Sequence, residues 1–468
     1  MIPFFPKQIS VRAITVYVIA LSVISVVFFS HAMDILHIAM GIIFVAGFFI
    51  LSSQLSLGWE DIPEKRYLQY VFWTALVLRL LWVIASYFYY IEVTGRPFEI
   101  DAADAVGYHK EAEWLASEPW SVAMNYYFGP HTTGISDIGY PLYLTILYKI
   151  VGPVIIIPRI IKALLSSWMC ILLYRLCSRT FGEPVGRMAG IMCALMPNLI
   201  IYCGYHLKET EMLFLSVVFL ERTDYLLRIH KYNLWNLMVP LLLAGSLFFF
   251  RTVLGAAAVF AFATGVLLTN TPSMKKGWKR VAIIGWSVLA LFIATGGTIM
   301  TEIEGYWEQK ETNVVNKRFE QASLGNQWAQ YATGTVMAPM VVALPFATMV
   351  DVDNQVAQQT KSGGNYIRNF MAFFALLAIY EAFRQKKWRN FVLIGALVFA
   401  YLGVVSLSGF SNSERFLLPG FPGLIAMWAY GVSELRAPTY KLLSPWCIVV
   451  FLMEFGWAFF KLGSRGLF

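Results

Sequence analysis

The chain has 468 residues, of which 58% are hydrophobic and only 14% charged, and its mean hydropathy is +0.62. These values lie outside the range of soluble globular domains and exclude a chain built around one water-soluble core. A net charge of +8 would suggest nucleic-acid binding in a soluble protein, but in so apolar a chain it indicates Lys and Arg retained on cytoplasmic loops.

Apolar stretches of the length that crosses a bilayer recur almost from end to end of the chain. The sequence predicts an all-α polytopic membrane protein with about thirteen transmembrane helices. The predicted spans are 13–32, 36–57, 69–94, 154–178, 184–204, 209–228, 233–250, 252–270, 280–299, 366–384, 390–408, 415–433 and 442–461. The predicted domains are an N-terminal transmembrane hairpin (1–68), a core (69–299) with an external loop (95–153), a second external loop (300–365) and C-terminal transmembrane helices (366–468).

The first residues set the predicted orientation. Lys7 and Arg12 precede a long apolar run without a small-residue cleavage site, which predicts a signal anchor with a cytoplasmic N-terminus. Nearly every short loop then obeys the positive-inside rule. The basic segments placed inside are 64–66, 175–187, 221–231, 275–280, 384–389 and 436–441. We expect a multi-pass protein of the inner (plasma) membrane whose chemistry faces the periplasm or exterior.

The first external loop is predicted to contain helices that lie at the membrane interface. Residues 104–115 have helical spacing, and the apolar run 139–152 is too short to span. On the first of these helices Asp101, Asp104, Tyr108 and Glu111 fall on one face. This acidic edge could supply a general base for an acceptor hydroxyl or amine. The alternative is a solvated interfacial helix whose N-terminal Asp serves as a cap.

The second external loop opens with mixed charges and then alternates short apolar and polar runs. We expect a solvated helix there, followed by a partly re-entrant stretch around 335–350. Ordered loops of this length are usually functional.

The acidic edge also carries a resemblance to a known family. Asp104-x-x-x-Tyr108-x-x-x-Ala112 resembles the signature in the first external loop of GT-C-type glycosyltransferases, such as the protein O-mannosyltransferases and aminoarabinose transferases. Further segments resemble the family in order and in predicted side of the membrane. They are Gly139-Tyr-Pro-Leu-Tyr, Tyr174-Arg-Leu-Cys-Ser-Arg-Thr-Phe-Gly182, His206-Leu-Lys208-Glu209, Phe250-Arg251-Thr252 and Arg415-Phe-Leu-Leu-Pro419-Gly-Phe-Pro422.

The resemblance implies a sugar donor on a polyprenyl phosphate or diphosphate, an inverting single displacement and an external loop Asp as general base. Matched residue by residue, the base is Asp104, with Asp101 as second choice. Arg415 matches the arginine that contacts the lipid phosphate in the family. The other candidates for the donor phosphate are Arg251, Lys208 and His206, and those for substrate binding are Tyr108, Glu111, Glu209 and Tyr140.

Several of these residues have a plainer interpretation. One alternative is that Arg251 and Lys208 are interfacial cations that extend toward water. Glu209 would then pair with Lys208 or Arg251. For Arg415 the phosphate role is favoured, because the residue lies between a Gly/Ser-rich turn and Leu417-Leu-Pro-Gly-Phe-Pro422.

Two features depart from the family pattern. The first loop has no Asp-x-Asp, and the external loops offer few clustered oxygens, so we predict no cofactor and leave a divalent metal open. Three spans precede the acidic loop, where the family usually has one. The extra pair, about 13–57, is interpreted as an added hairpin for packing or partner contact.

Readings from other classes remain open. A glycan ligase or polymerase would use a lipid-diphosphate-linked oligosaccharide and external Arg and His residues. A lipid or glycan transporter would carry ionisable or broken helices at mid-membrane, and a scaffold would need none of the motifs. The partners expected of the transferase are a polyprenyl-phosphate-linked sugar, the membrane and a lipid, glycan or protein acceptor, without nucleic acid.

Overall fold

The computed structural model describes residues 2–100, 102–129, 135–229, 234–268, 340–352, 355–407, 414–463 and 467. Within these ranges the chain is helical and has no strand, which confirms the predicted all-α class. The helices up to residue 268 are α1 (Lys7–Val27), α2 (Ile35–Gly58), α3 (Glu64–Thr94), α4 (Ala103–Ser117), α5 (Trp120–Phe128), α6 (Gly139–Val151), α7 (Ile156–Phe181), α8 (Glu183–Leu195), α9 (Pro197–Ile201), α10 (Glu209–Ile229), α11 (Leu234–Phe250) and α12 (Thr252–Leu268). The later helices are α13 (Val356–Thr360), α14 (Ser362–Arg384), α15 (Trp388–Leu407), α16 (Glu414–Leu417), α17 (Phe421–Ser433), α18 (Ala437–Lys441) and α19 (Leu443–Gly463).

The helix lengths confirm a multi-pass membrane protein but not the number of spans. Among the described residues, eight helical stretches are long and apolar enough to cross a membrane, or up to nine if the bent pair α8 and α9 is one span. Helices α11 and α12 have 17 residues each. Helix α10 has 21 residues but carries charges at both ends. The predicted span 280–299 lies outside the described residues.

The first predicted loop contains the three helices α4, α5 and α6. Of the second loop, the predicted solvated helix lies outside the described residues, and the predicted re-entrant stretch is described from residue 340. Residues 341–350 are buried but mostly irregular. Their backbone is held by side chains, as when Arg368 donates to the Val341 oxygen (2.9 Å) and Glu454 accepts from the Ala347 nitrogen (3.0 Å). Such partners are what irregular backbone inside a helical bundle requires.

The spans differ in how deeply they lie in the bundle. The stretch Glu414–Ser433 is 94% buried and Ser362–Arg384 is 78% buried, against 28% for Ala437–Gly463. Helices α14 and α17 therefore form the centre, and the more exposed helices pack around them. Gly431 permits their close crossing, because a Cβ there would overlap the carbonyl oxygen of Phe374.

The bent pair α8 and α9 directs the chain toward the site. The two helices meet at 52° at the break before Pro197, where the missing N–H and the ring of proline prevent a continuous helix. Arg79 of α3 is fully buried and donates to the carbonyl oxygens of Cys193 and Ala194, both at 3.0 Å. Its guanidinium thus replaces backbone donors that the break removes.

Two groups of polar contacts each join segments that the sequence assigns to one side of the membrane. Residues from loops predicted to be cytoplasmic contact one another, as in the ion pair of Arg179 with Glu221 (2.8 Å) and the hydrogen bond from Arg187 to the Trp59 oxygen (2.6 Å). Residues from segments predicted to be external form another group around Arg415. Which group faces the cytoplasm remains part of the proposal below.

Candidate functional site

The site begins at the start of α4. Asp104 lies in the first turn of this helix, where a carboxylate is favoured by the helix dipole. Its side chain is 56% exposed, so it can be reached from solvent. The second candidate base, Asp101, lies outside the described residues.

Arg415 joins two carboxylates that are distant in the chain. Its Nη1 donates to Oδ2 of Asp104, and its Nε donates to Oε1 of Glu209. Glu209 is the first residue of α10 and is fully buried. A charge buried so deeply is retained only when it is paired, and Arg415 is one of its partners. The structure thus brings together Asp104, Glu209 and Arg415 as the core of the site.

Arg251 lies between α11 and α12 and contacts this core through Glu209. Its Nη2 lies 3.6 Å from Oε1 of Glu209, and its Nη1 donates to the hydroxyl of Tyr401 at 2.7 Å. Its guanidinium also lies 4.6 Å from the ring centre of Phe416. The pairing of Glu209 with Arg251 is one of the two pairings considered from the sequence. Glu209 therefore serves two arginines at once.

Two tyrosines predicted to bind substrate, Tyr108 and Tyr140, lie next to each other near Asp104. Tyr108 lies one helical turn further along α4, and its ring packs edge to face on Tyr140 with centroids 5.4 Å apart. Burial raises the pKa of Tyr108 to about 12, although the nearby Arg415 opposes this shift. Tyr108 therefore stays protonated at neutral pH and can accept a hydrogen bond from Arg415. Tyr140 is fully buried, with Nζ of Lys162 4.7 Å from its ring centre.

Lys208 lies beside the core but has partners of its own. Its Nζ donates to the Phe250 oxygen at 2.6 Å and forms an ion pair with Asp137. Asp137 belongs to the segment before α6 and has a positive φ of 70°. The pairing of Glu209 with Lys208, considered from the sequence, is thus replaced by a pairing of Lys208 with Asp137.

His206 belongs to a neighbouring polar group instead of the core. Its Nε2 is 3.2 Å from the hydroxyl of Tyr148, which is in turn 2.9 Å from Nδ1 of His109. Its backbone nitrogen donates to Glu99 at 3.1 Å. The chain His109–Tyr148–His206 therefore ties α4 to α6 and to the segment before α10. Its contacts give His206 a structural role beside the core.

Glu111 has a different neighbour from Asp104 and Tyr108, with which it shares the predicted helix face. Its carboxylate is hydrogen-bonded to the hydroxyl of Tyr127 in α5, and burial raises its pKa. Asp104 and Tyr108 contact Arg415, whereas Glu111 contacts α5. Of the predicted face, the described residues Asp104, Tyr108 and Glu111 therefore serve at least two different contacts, while Asp101 lies outside the described residues.

Three residues near the core were not selected as site residues from the sequence. Glu414 precedes Arg415 and is 3.2 Å from Lys361, and it also accepts a hydrogen bond from Asn198. The available signals were an asparagine inside an apolar run, directly after Pro197, and an acidic residue next to the motif arginine. Neither signal indicates that Asn198 and Glu414 contact each other.

The donor set of the site suits an anion better than a metal ion. The core presents guanidinium groups, and each carboxylate in it is paired with a cation. Among the described residues, no group of three or more His, Cys, Asp or Glu side chains is placed to hold a metal. The core can therefore offer Arg415 to a phosphate and an accessible carboxylate to a proton.

Comparison of the sequence with protein-family models and with curated proteins finds no match. The resemblance to GT-C-type enzymes accordingly depends on the short motifs quoted above.

Proposed function

We propose that this chain is an integral membrane glycosyltransferase that transfers a sugar from a polyprenyl phosphate or diphosphate to a hydroxyl or amine acceptor. One observation carries the proposal most directly. Asp104 and Arg415 are 311 residues apart in the chain and form an ion pair. Glu209 accepts a second hydrogen bond from the same guanidinium. Asp104 and Arg415 were both selected from the sequence, one as base and the other as phosphate ligand.

The proposed reaction is a single displacement with inversion. The acceptor oxygen or nitrogen forms a bond to the anomeric carbon, and the bond from that carbon to the phosphate oxygen breaks. The acceptor proton moves to the carboxylate of Asp104, and the lipid phosphate leaves with the bonding electron pair. One base suffices, because the phosphate is already a good leaving group.

Arg415 has a defined part in this scheme. A donor phosphate would compete with Asp104 for Nη1, while Glu209 keeps its hold on Nε. A guanidinium binds phosphate through two parallel N–H groups. Transfer of Nη1 to the phosphate releases Oδ2 of Asp104, so that donor binding makes the base available.

The membrane setting supports a lipid-linked donor. The eight candidate spans among the described residues fit a protein embedded in a bilayer, and the hydrocarbon of that bilayer would hold the polyprenyl chain. The proposal assigns the site to the external face, because a cytoplasmic N-terminus puts nearly every short basic loop on the opposite side of the membrane. The site would then take its donor from the outer leaflet.

The substitution Asp104→Asn tests the proposal. In purified full-length protein supplied with a polyprenyl-phosphate-linked sugar, sugar transfer should fall by about 100-fold to 10,000-fold, as expected when a general base is lost. Binding of undecaprenyl phosphate should remain. The matched control is Glu113→Gln, which removes an exposed carboxylate from the same helix.

Three outcomes count against the proposal, the first against Asp104 as the base and the other two against the transferase itself. Full turnover of Asp104→Asn would assign the base to another residue. Wild-type protein that binds undecaprenol as tightly as undecaprenyl phosphate would have no phosphate site. Movement of the intact lipid across a vesicle membrane without sugar transfer would favour the transporter.

A further inference from the structure

A second buried carboxylate lies directly before Arg415 and takes no part in the scheme above. Glu414 is only 6% exposed. Its Oε1 accepts a hydrogen bond from Nδ2 of Asn198, and its Oε2 lies 3.2 Å from Nζ of Lys361. Because an amide and an ammonium group reach it from α9 and from the start of α14, its position is fixed from two directions.

Asn198 is itself held in place. It is fully buried, and its Nδ2 also lies 3.1 Å from Oδ1 of Asn365. A Cβ at position 364 would overlap the side-chain oxygen of Asn198, so Gly364 leaves the space that this amide occupies. Asn198 follows Pro197 at the bend, and the break in the span therefore determines where the amide points.

The residue after Arg415 is anchored as well. The carbonyl oxygen of Phe416 accepts a hydrogen bond of 2.8 Å from the hydroxyl of Tyr401. The backbone of α16 is thus tied on both sides of Arg415. Fixing these neighbours lowers the conformational entropy that a long arginine side chain must lose to reach its partners.

We propose that Glu414, held by Asn198 and Lys361, is a positioning residue for Arg415. It directs the start of α16 so that the guanidinium reaches Asp104 and Glu209. The inference rests on the proposed function, in which Arg415 binds the donor phosphate. Glu414 acts through Arg415 and does not need to touch the substrate.

A mutant cycle in thermal unfolding tests this role without added lipid. Asp104→Asn, Arg415→Met and the double variant are compared in the native background and in Glu414→Ala. In the native background the double variant should lose less in Tm than the two single losses combined, because both remove the same ion pair. In Glu414→Ala the losses should become additive, since Arg415 no longer reaches Asp104.

The chain offers a matched control at Glu381. This carboxylate is also buried and also accepts from a cation and an amide, namely Arg384 (2.7 Å) and Gln385 (3.0 Å). It belongs to the group of contacts predicted to be cytoplasmic. Glu381→Ala should preserve the non-additivity between Asp104 and Arg415. Equal non-additivity in Glu414→Ala and Glu381→Ala overturns the inference.

A second variant covers the case in which Glu414→Ala does not fold. Asn198→Ala removes the amide donor and leaves the carboxylate in place, and it should also make the two losses additive. If the Tm losses of Asp104→Asn and Arg415→Met stay non-additive in Asn198→Ala, the inference is also overturned.

Kinetics add a second readout. Glu414→Ala should raise the donor KM about tenfold with kcat little changed, and should add nothing further in an Arg415→Met background. A loss of kcat alone, or a full additional effect in that background, contradicts a role through Arg415. If the wild-type protein transfers no sugar, the proposed function fails, whereas the thermal cycle still decides whether Glu414 positions Arg415.

Discussion

Arg79 donates a hydrogen bond to the carbonyl oxygen of Cys193, the oxygen that the backbone N–H of residue 197 would bind in an unbroken helix. Residue 197 is proline and has no such N–H. Nε of the same guanidinium donates to Ser166 at 2.7 Å. A fully buried cation in the membrane domain is thus used to complete a broken helix that leads to the site.

Replacing Arg79 should destabilise the bundle. Arg79→Met leaves two buried carbonyl oxygens without their side-chain donor, and we expect a loss of about 2–4 kcal/mol in the free energy of unfolding. Thermal unfolding in detergent measures it. The control Arg66→Met removes an exposed arginine from the same helix and should be close to neutral. Equal losses in the two variants would remove the structural role of Arg79.

Changes at Arg415 should separate charge from geometry. Arg415→Met should weaken binding of undecaprenyl phosphate by about 10-fold to 100-fold, the loss typical of a charge-assisted contact. Arg415→Lys should recover only part of it, because an ammonium group cannot bind bidentately. Equilibrium binding to the purified protein checks both, with Arg175→Met, an exposed arginine of α7, as control. Unaltered affinity in Arg415→Met would remove its phosphate role.

Acid should destabilise the protein through two histidines. Burial lowers the pKa of His109 and, more strongly, that of His206, where Lys162 and Arg159 act in the same direction. The nearby carboxylate of Glu113 opposes the lowering of the His109 pKa. The unfolded chain then binds more protons below the ordinary histidine pKa of about 6.5, so stability present above that pH is lost as the pH falls through the lowered values.

Thermal unfolding between pH 7.5 and 5 measures this effect, with both pH values chosen to bracket the ordinary histidine pKa of about 6.5. The wild-type Tm should fall on acidification, and the fall should be smaller in His206→Gln. His31 offers a control outside this chain of hydrogen bonds, and His31→Gln should keep the wild-type slope. A slope that is the same in all three proteins would contradict the assignment.

The close crossing of α14 and α17 should not tolerate a methyl group. Gly431→Ala places a Cβ against the backbone of Phe374, and overpacking of this kind costs about 1–3 kcal/mol. Gly456→Ala is the matched control, because nothing lies within 4 Å of a Cβ at that position of α19. It should be neutral or slightly stabilising through helix propensity. A similar Tm for the two variants would contradict the crossing.

Much of the fold follows from the sequence, because an apolar stretch long enough to cross a membrane can adopt few structures other than a helix. The predicted spans 36–57 and 69–94 lie within α2 and α3. The predicted span 184–204 is broken at Pro197 in the structure. Proline marks a break but does not say which side chain will take up the freed carbonyl oxygens, so the role of Arg79 could not be read from its place in an apolar run.

The sequence selected candidate residues more readily than it paired them. The motif spacing selected Asp104 and Arg415, and the structure places them in contact. Partners such as Asp137 for Lys208 depend on how separate loops pack, which no local spacing encodes. The same limit applies to Glu111, whose place on the helix face was predicted while its neighbour Tyr127 was not.

The two carboxylates that hold Arg415 differ in their access to water. Glu209 is fully buried, whereas the side chain of Asp104 is 56% exposed. Dissolved salt screens the outer contact strongly and the inner one little. The guanidinium therefore has one permanent partner and one exchangeable partner, and an incoming anion needs to displace only the exchangeable one.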